Sequence, residues 1–206
     1  MPAGEKMTYV LGLTGGIGMG KTTISNFLKK FDFKILDADL ISRQVISRPA
    51  TLQQLVACFG QTIIDQNGEL DRKALGTIVF NNPGKLAQLD QIMQPLIRAE
   101  YTSQLKQARQ AKIPVVVIDA ALLFEQNYAG KCDAVMTVSL PQELQLKRIM
   151  QRDKITKTEA LKRIASQIPD EKRKKMATIV IDSSGTVEET QAQVIKWLKI
   201  NNLIEK

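Results

Sequence analysis

The stretch Gly15-Gly16-Ile17-Gly18-Met19-Gly20-Lys21-Thr22 decides the fold, because it fits the phosphate-loop pattern G-x-x-x-x-G-K-[S/T]. An apolar run at residues 8–13 precedes it and apolar residues at helical spacing follow it, which predicts a strand, a loop and a helix. Glycines let backbone N–H groups turn inward around phosphates, so the side chain of Met19 is expected to matter little. Lys21 is expected to contact the β and γ phosphates, and the Thr22 hydroxyl to bind Mg²⁺. The predicted ATP-binding residues here are Gly16, Ile17, Gly18, Met19, Gly20, Lys21, Thr22 and Thr23.

Four further apolar runs predict strands at residues 33–36, 113–118, 134–140 and 178–181. The run at 113–118 is rich in β-branched residues without alternation, as in a strand buried on both faces of a parallel sheet. Helical stretches are predicted at residues 21–30, 40 to about 48, 51–59, 72–80, 86–112, 141–151 and 187–200. The stretch 86–112 is expected to break at Pro95. Thr186 and Glu189 form a capping box before the last helix. Strands alternating with helices predict an α/β P-loop NTPase core: a five-stranded parallel sheet flanked by helices.

The length of 206 residues suits one domain with an insert. Within a single domain spanning residues 1–206, we expect a core at about 8–50, 113–146 and 176–206. Residues 51–112 are nearly all helical and are expected to form an inserted subdomain. Residues 147–175 hold 11 basic and four acidic residues, and so carry +7 of the net +8. Such a local basic segment favours a polyanionic ligand such as nucleotide phosphates, although a solvated helical face is the alternative.

Composition excludes several kinds of site. The chain has no histidine, so His-ligated metals and Ser-His triads are excluded, and a general base must be a carboxylate, a lysine or a cysteine. Cys58 and Cys132 match no zinc spacing and are expected to be reduced thiols. The longest apolar stretch, 113–124, is too short to span a membrane, and residues 1–7 do not resemble a signal peptide. We therefore expect a cytoplasmic protein without a membrane partner.

Three groups of charged residues are candidates for chemistry. Asp37 and Asp39 end the second strand, where a carboxylate can accept a proton from an attacking hydroxyl; for Asp39 a helix N-cap is the alternative. Asp119 ends the third strand as the acid of a Walker B strand does, which predicts a contact with Mg²⁺. Arg148 and Arg152 lie four apart on one predicted helix and can neutralise charge on a transferred phosphoryl group, with a solvated face as the alternative.

Two short stretches imitate GTPase motifs. Residues 65–68, Asp-Gln-Asn-Gly, imitate a switch motif, and residues 156–159, Thr-Lys-Thr-Glu, imitate a guanine-specificity motif. The first lies in a polar turn, and the second has Glu in place of Asp and follows no strand. A GTPase is therefore disfavoured.

With these residues in view, the chain resembles the dephospho-coenzyme A kinases over residues 9–198. The phosphate loop, Asp37-Ala38-Asp39 and Arg43 carry the first part of the resemblance. The later pieces are Phe59-Gly60, Gly68-x-Leu70-Asp71-Arg72, Pro95-Leu96-Ile97, Leu122-Leu123-Phe124-Glu125, Gln145-x-x-Arg148, Arg152-Asp153, Arg163-Ile164-Ala165-x-Gln167 and Ile181-Asp182 before Gly185.

The resemblance implies transfer of the ATP γ-phosphate to the ribose 3′-hydroxyl of 3′-dephospho-coenzyme A, with Mg²⁺. It implies that the insertion at 51–112 binds the acceptor and that residues 147–175 form a lid. The residues that it assigns to catalysis are Asp39 as the base, Lys21, Arg148 and Thr14. The residues that it assigns to nucleotide and acceptor include Arg148 and Arg152 for ATP, and Asp39, Arg43, Leu122, Leu123 and Glu125 for the acceptor.

The chain departs from the family pattern at Met19, Gln94, Ala121 and Ser183, where Ser, His, Pro and Asn are expected. Gln94 can form hydrogen bonds but cannot exchange a proton, Ala121 can loosen the turn before Leu122, and Ser183 can alter the adenine contact. Because none of these changes touches Lys21 or Asp39, we expect activity with shifted affinity.

Two rival functions stay open at this point. One is another small P-loop kinase that acts on a nucleotide or a small alcohol. The other is a nucleic-acid-binding NTPase, which the isoelectric point near 9.5 and the run 172–175 suggest. One Trp and three Tyr offer few surfaces for base stacking, so no nucleic-acid partner is expected. The oligomeric state is not predicted.

Overall fold

A computed structural model describes residues 8–80 and 82–205, in which five strands form one sheet. The strands are β1 (Tyr9–Gly15), β2 (Lys34–Asp37), β3 (Val115–Asp119), β4 (Ala134–Ser139) and β5 (Ile179–Asp182). They lie in the order β2-β3-β1-β4-β5, and every neighbouring pair is parallel. The predicted five-stranded parallel sheet is confirmed, and each predicted run overlaps one of its strands.

Helices alternate with these strands as predicted. They are α1 (Lys21–Leu28), α2 (Ala38–Ile46), α3 (Pro49–Phe59), α4 (Arg72–Phe80), α5 (Pro83–Gln110), α6 (Gln142–Asp153), α7 (Lys157–Ala165), α8 (Asp170–Met176) and α9 (Val187–Ile200). The capping box before α9 is confirmed, since the Thr186 side chain accepts from the Glu189 N–H and Glu189 accepts from the Thr186 N–H. Strand, loop and helix follow each other at residues 9–28, as the phosphate-loop pattern requires.

The predicted break at Pro95 is wrong. Helix α5 is 28 residues long and continues through Pro95 without interruption. Proline removes one N–H from the helical ladder and normally disturbs a helix interior. The buried residues of α5 nevertheless recur every four positions on both sides of Pro95, at Met93, Ile97, Tyr101 and Leu105. One continuous buried stripe therefore holds the helix together across the missing hydrogen bond.

Helices α7 and α8 lie inside the basic segment and are absent from the predicted elements. Thr156 and Glu159, the first and last residues of the stretch that resembles a guanine-specificity motif, form a capping box at the start of α7. The imitation switch motif is a tight turn, in which Asp65 accepts from the N–H groups of Asn67 and Glu69. Both stretches are therefore local structure, as their context predicted.

The chain divides into two compact units. The first runs up to Asp37 and resumes at Ala108, and it contains the whole sheet. Its main apolar cluster packs α1 and α9 on the sheet and comprises Leu11, Leu13, Ile24, Phe27, Leu28, Phe33, Val115, Val117, Ala134, Met136, Val138, Ile181, Val194 and Leu198. The second unit, Ala38–Gln107, holds α2, α3, α4 and most of α5. The functional division into core, acceptor-binding insertion and lid stays a prediction.

Across residues 8–80 and 82–205, no helix has both the length and the apolar character needed to cross a membrane. The prediction about a signal peptide concerns residues 1–7, which lie outside the described residues. Cys58 and Cys132 are both free thiols.

Candidate active site

The carboxyl ends of the five strands lie along one edge of the sheet, because all the strands are parallel. β1 ends at Gly15, β3 at Asp119, β4 at Ser139 and β5 at Asp182. In open parallel sheets this edge is where ligands bind. The first unit therefore brings the phosphate loop and the predicted metal-binding aspartate to one edge.

The phosphate loop has the backbone conformation that its glycines allow. Gly18 and Gly20 have φ values of +76° and +93°, in the left-handed region that other residues avoid. A Cβ atom on Gly18 would also lie 2.6 Å from Cγ1 of Ile149, so only glycine fits there. Gly20 directly precedes α1, whose first N–H groups and positive end suit phosphate oxygens.

Lys21 and Asp119 form an ion pair at this edge. The Lys21 Nζ lies 2.5 Å from Asp119 Oδ1, and the two side chains are only 19% and 5% exposed. Asp119 is aligned with Leu13 of β1 on one side and with Asp37 of β2 on the other. The predicted phosphate-binding lysine and the predicted metal-binding aspartate are therefore direct neighbours.

The side chains of Gln167, Gln145 and Ser183, which lie outside the phosphate loop, form hydrogen bonds with its backbone. The sequence did not predict these contacts. Gln167 accepts from the Ile17 N–H at 2.8 Å, and the Gln145 side-chain amide donates to the Ile17 carbonyl at 2.9 Å. The Ser183 hydroxyl donates to the Met19 carbonyl at 2.7 Å. In the sequence, Gln145 and Gln167 stand out only as members of motifs shared with a known family. Membership of a motif does not indicate which residue a side chain contacts.

Arg148 and Arg152 lie four residues apart in α6, as predicted, but they bind different partners. Arg148 donates to the Ser183 carbonyl at 2.7 Å, and its Nη1 lies 3.9 Å from the position of a Cβ atom on Gly20. Arg152 instead forms two hydrogen bonds with Asp153, which hold the pKa of that carboxyl below its ordinary value. Arg148 is thus near the phosphate loop, while the ATP-binding role of Arg152 stays a prediction.

Residues predicted from the resemblance occupy different environments in the first unit. Thr14 is fully buried, and its hydroxyl donates to the Ala121 carbonyl at 3.1 Å. Leu122 is 42% exposed, whereas Leu123 is completely buried. The Glu125 carboxylate accepts from the Ile168 N–H at 3.3 Å. The structure gives Thr14 and Leu123 clear packing roles, and their parts in catalysis and acceptor binding stay predictions.

Two of the departures from the family pattern take part in packing around the loop. Met19 is only 2% exposed, so its side chain is a packing residue, contrary to the expectation that it matters little. Ser183 is 5% exposed, and it connects the loop after β5 to the Met19 carbonyl and to Arg148. A change at either position therefore reaches the phosphate loop through packing and hydrogen bonds.

Asp39 and Arg43 belong to α2 in the second unit, and both are exposed. Asp39 is the second residue of α2, so it lies inside the first turn of the helix rather than at the N-cap. A carboxylate in a first helical turn is favoured by the positive end of the helix. The proton-accepting role of Asp39 stays a prediction.

The chemistry of the donor set suits Mg²⁺. This ion prefers oxygen ligands, keeps several waters and is usually held by one or two protein side chains together with substrate phosphates. Thr22 offers an exposed hydroxyl at the start of α1, and Asp119 offers a carboxylate at the same edge. Among residues 8–80 and 82–205, no cluster of three or more Cys, Asp or Glu side chains forms a closed metal cage. Thr22 and Asp119 are therefore suitable ligands for Mg²⁺ that arrives with a nucleotide.

Comparison with known proteins gives one consistent family. A family model described as dephospho-CoA kinase matches residues 9–189. The dephospho-CoA kinase of Enterococcus faecalis is 43% identical over 195 residues, which cover 94% of this chain and 97% of that protein. The corresponding enzyme of Latilactobacillus sakei is 43% identical over 189 residues, 91% and 93% of the two chains. A solved structure of dephospho-CoA kinase from Campylobacter jejuni matches with a TM-score of 0.73 at 30% identity, covering 95% of this chain and all of that one.

Proposed function

The chain belongs to the dephospho-CoA kinase family, and from this premise we propose that it transfers the γ-phosphoryl group of ATP to the ribose 3′-hydroxyl of 3′-dephospho-coenzyme A. The products are coenzyme A and ADP, and the hydroxyl proton is released. The observation that carries the proposal is the phosphate loop at the carboxyl edge of the sheet, with Lys21 bound to Asp119. A phosphoryl-transfer enzyme needs such a loop for positioning and for charge stabilisation.

Binding of ATP in this proposal relies mainly on the backbone of residues 16–23. The loop N–H groups that follow Ile17, together with those of the first turn of α1, donate to phosphate oxygens, while the Ile17 N–H donates to Gln167; the helix dipole favours the negative charge. Lys21 adds a positive charge at the β and γ phosphates. Charge migrates between these phosphates during transfer, so Lys21 contributes most in the transition state.

Mg²⁺ is held in this proposal by the Thr22 hydroxyl and the Asp119 carboxylate. When bound, it neutralises charge on the β and γ phosphates. The carboxylate of Asp119 then has two cationic neighbours, because Lys21 lies beside it. A carboxylate oxygen is a ligand that Mg²⁺ prefers.

Asp39 is proposed as the general base that accepts the proton of the ribose hydroxyl. The chain has no histidine, so a carboxylate is the best candidate near neutral pH, and Asp39 is exposed in the first turn of α2. Arg148 is proposed to neutralise charge on the transferred group, since it lies near the phosphate loop. Arg152 is proposed to bind ATP and Thr14 to assist catalysis. The proposed acceptor-binding residues are Asp39, Arg43, Leu122, Leu123 and Glu125.

The test is an acceptor panel in an ADP-release assay with ATP and Mg²⁺, in which the product is identified by mass spectrometry. The panel contains 3′-dephospho-coenzyme A, nucleosides, nucleoside monophosphates, shikimate, RNA and single-stranded DNA. We expect turnover with 3′-dephospho-coenzyme A and formation of coenzyme A, with Lys21→Ala as the matched inactive variant. Turnover only with another small acceptor would establish a different kinase. ATP hydrolysis stimulated only by nucleic acid would establish an NTPase of another class.

A further inference from the structure

The backbone N–H and the backbone carbonyl of Ile17, in the phosphate loop, both form hydrogen bonds with glutamine side chains. The Ile17 N–H donates to Oε1 of Gln167 at 2.8 Å, and the Ile17 carbonyl accepts from Nε2 of Gln145 at 2.9 Å. Gln145 and Gln167 are called the glutamine clamp below. A glutamine side chain carries one acceptor and one donating amide group, so the pair satisfies both groups of Ile17.

The two glutamines come from different elements. Gln167 lies inside the basic segment, residues 147–175, and Gln145 lies two residues before it. Gln145 is 3% exposed on α6, three residues before Arg148. Gln167 is half-buried in the short connection between α7 and α8. Two hydrogen bonds attach this part of the chain to the rest of the first unit. In the connection itself, the Ile168 N–H donates to Glu125. At the start of α8, Asp170 accepts from the Ser139 hydroxyl at 2.5 Å. Gln167 therefore links this anchored segment directly to the phosphate loop.

The space around Gly16 shows how closely the clamp fits the loop. A Cβ atom on Gly16 would lie 3.3 Å from Nε2 of Gln145, 3.3 Å from Nη1 of Arg173 and 3.1 Å from Sδ of Met19. Arg173 is 1% exposed and is itself fixed by Asp170 and by the Ile168 carbonyl. The loop backbone is therefore confined by packing on the side where the clamp binds it.

We propose that the glutamine clamp is a positioning device, which fixes the Ile17 peptide so that the loop N–H groups following it keep their inward orientation for phosphates. Neither glutamine needs to touch a substrate, so both are positioning residues. Preorganised N–H groups stabilise transition-state charge without reorganising, and small misplacements of such groups are costly. The proposal rests on the proposed function only for the choice of acceptor in the assay, because the contacts themselves concern nucleotide binding.

The experiment uses the full chain with four single substitutions. Gln167→Met and Gln145→Met keep the side-chain length but remove the hydrogen bonds. Gln167→Glu keeps an acceptor for the Ile17 N–H, and Gln151→Met is the matched control on the exposed surface of α6. The readouts are kcat and KM for ATP and for 3′-dephospho-coenzyme A, ADP affinity, the melting temperature, and hydrogen exchange of the Ile17 amide by NMR.

For Gln167→Met we expect the Ile17 amide to exchange about tenfold faster or more, and kcat/KM for ATP to fall about tenfold, with KM for the acceptor unchanged. Gln145→Met is expected to lower kcat/KM for ATP to a similar extent. Gln167→Glu should retain the slow exchange of Ile17, and Gln151→Met should match the wild type in every readout. If the Ile17 amide still exchanges slowly in Gln167→Glu, the faster exchange in Gln167→Met is due to the lost hydrogen bond and not to a general loss of packing.

The proposal is overturned if Gln167→Met lowers the melting temperature but leaves both Ile17 exchange and kcat/KM for ATP unchanged. It is also overturned if the Ile17 amide exchanges at the same rate in Gln167→Met and in Gln167→Glu. If the buried Gln145→Met variant fails to fold, the two Gln167 variants decide the question. If the wild type does not phosphorylate 3′-dephospho-coenzyme A, the proposed function fails, while Ile17 exchange and ADP affinity still test the clamp.

Discussion

The side-chain amine of Lys21 lies 2.5 Å from a carboxylate oxygen of Asp119, so the first residue of α1 is bound to the last residue of β3. Both side chains are largely buried, and an ion pair in such a place is screened by solvent less than an exposed one. Removing one partner would leave the other charge without compensation. Asp119 therefore orients Lys21, the lysine proposed to bind phosphate, in addition to its own proposed role at Mg²⁺.

Asp119→Asn is expected to lower kcat by about two orders of magnitude and to raise the Mg²⁺ concentration needed for half-maximal rate. Asparagine keeps the shape of the side chain but loses the negative charge that pairs with Lys21 and that is proposed to bind Mg²⁺. ADP release measured over a range of Mg²⁺ concentrations gives both quantities. Asp32→Asn is the control, because Asp32 is exposed at φ +57°, which asparagine tolerates. An unchanged Mg²⁺ dependence in Asp119→Asn would exclude the proposed metal role.

Asp39→Asn is expected to remain folded, to bind both substrates within a few-fold of the wild type, and to lose kcat by about 10²-fold or more. Loss of a general base commonly costs about 3 to 5 kcal/mol in the barrier, while loss of a favourable charge in a first helical turn costs up to about 1 kcal/mol of stability. Steady-state kinetics and thermal unfolding separate the two effects.

Asp37→Asn is the matched comparison for Asp39, because it changes the last residue of β2, two positions earlier. We expect it to lose less activity than Asp39→Asn. If Asp39→Asn lowers the melting temperature but keeps its rate, Asp39 is only a structural residue, and Asp37 and Asp119 become the candidates for the base.

Arg148→Ala is expected to lower kcat more than it weakens ATP binding. A guanidinium near the phosphate loop contributes chiefly when charge develops on the transferred group. Kinetics together with a direct measurement of ATP affinity check this expectation. Lys147→Ala is the control, since Lys147 is exposed on the same helix. An equal fall in affinity and rate would make Arg148 an ordinary binding residue.

Cys132 is expected to resist alkylation at pH 8. Burial, together with the negative charge of Asp133, raises the pKa of its thiol to about 12. Only ~10⁻⁴ of the thiol is then ionised at pH 8, and the thiolate is the reactive form. Its reaction with iodoacetamide, followed by mass spectrometry, should be at least 100-fold slower than that of N-acetylcysteine, and its rate should rise roughly tenfold for each pH unit above 8 without levelling off as that of N-acetylcysteine does. In urea Cys132 should react at an ordinary rate, and fast reaction in the native protein would contradict the prediction.

Several elements followed from local patterns alone. The glycine loop, the apolar runs and the capping box before α9 each act over a few neighbouring residues, so their strands and helices could be predicted. Pro95 was misjudged because a proline lowers helix stability locally, while the buried stripe from Met93 to Leu105 stabilises α5 through packing. Helices α7 and α8 were missed because they are short and highly charged, and each buries only one residue, Ala160 in α7 and Arg173 in α8.

By itself, the sequence determined the strand–loop–helix around Lys21, the α/β class and the absence of a histidine base, because these depend on residue types and on spacing along the chain. Only the tertiary structure decided that Lys21 contacts Asp119, that Arg148 binds Ser183, and that Gln145 and Gln167 hold Ile17. The partners in the contacts of Lys21 and of the two glutamines lie between 98 and 150 residues apart. Such contacts depend on the order of the strands in the sheet, and no local pattern specifies that order.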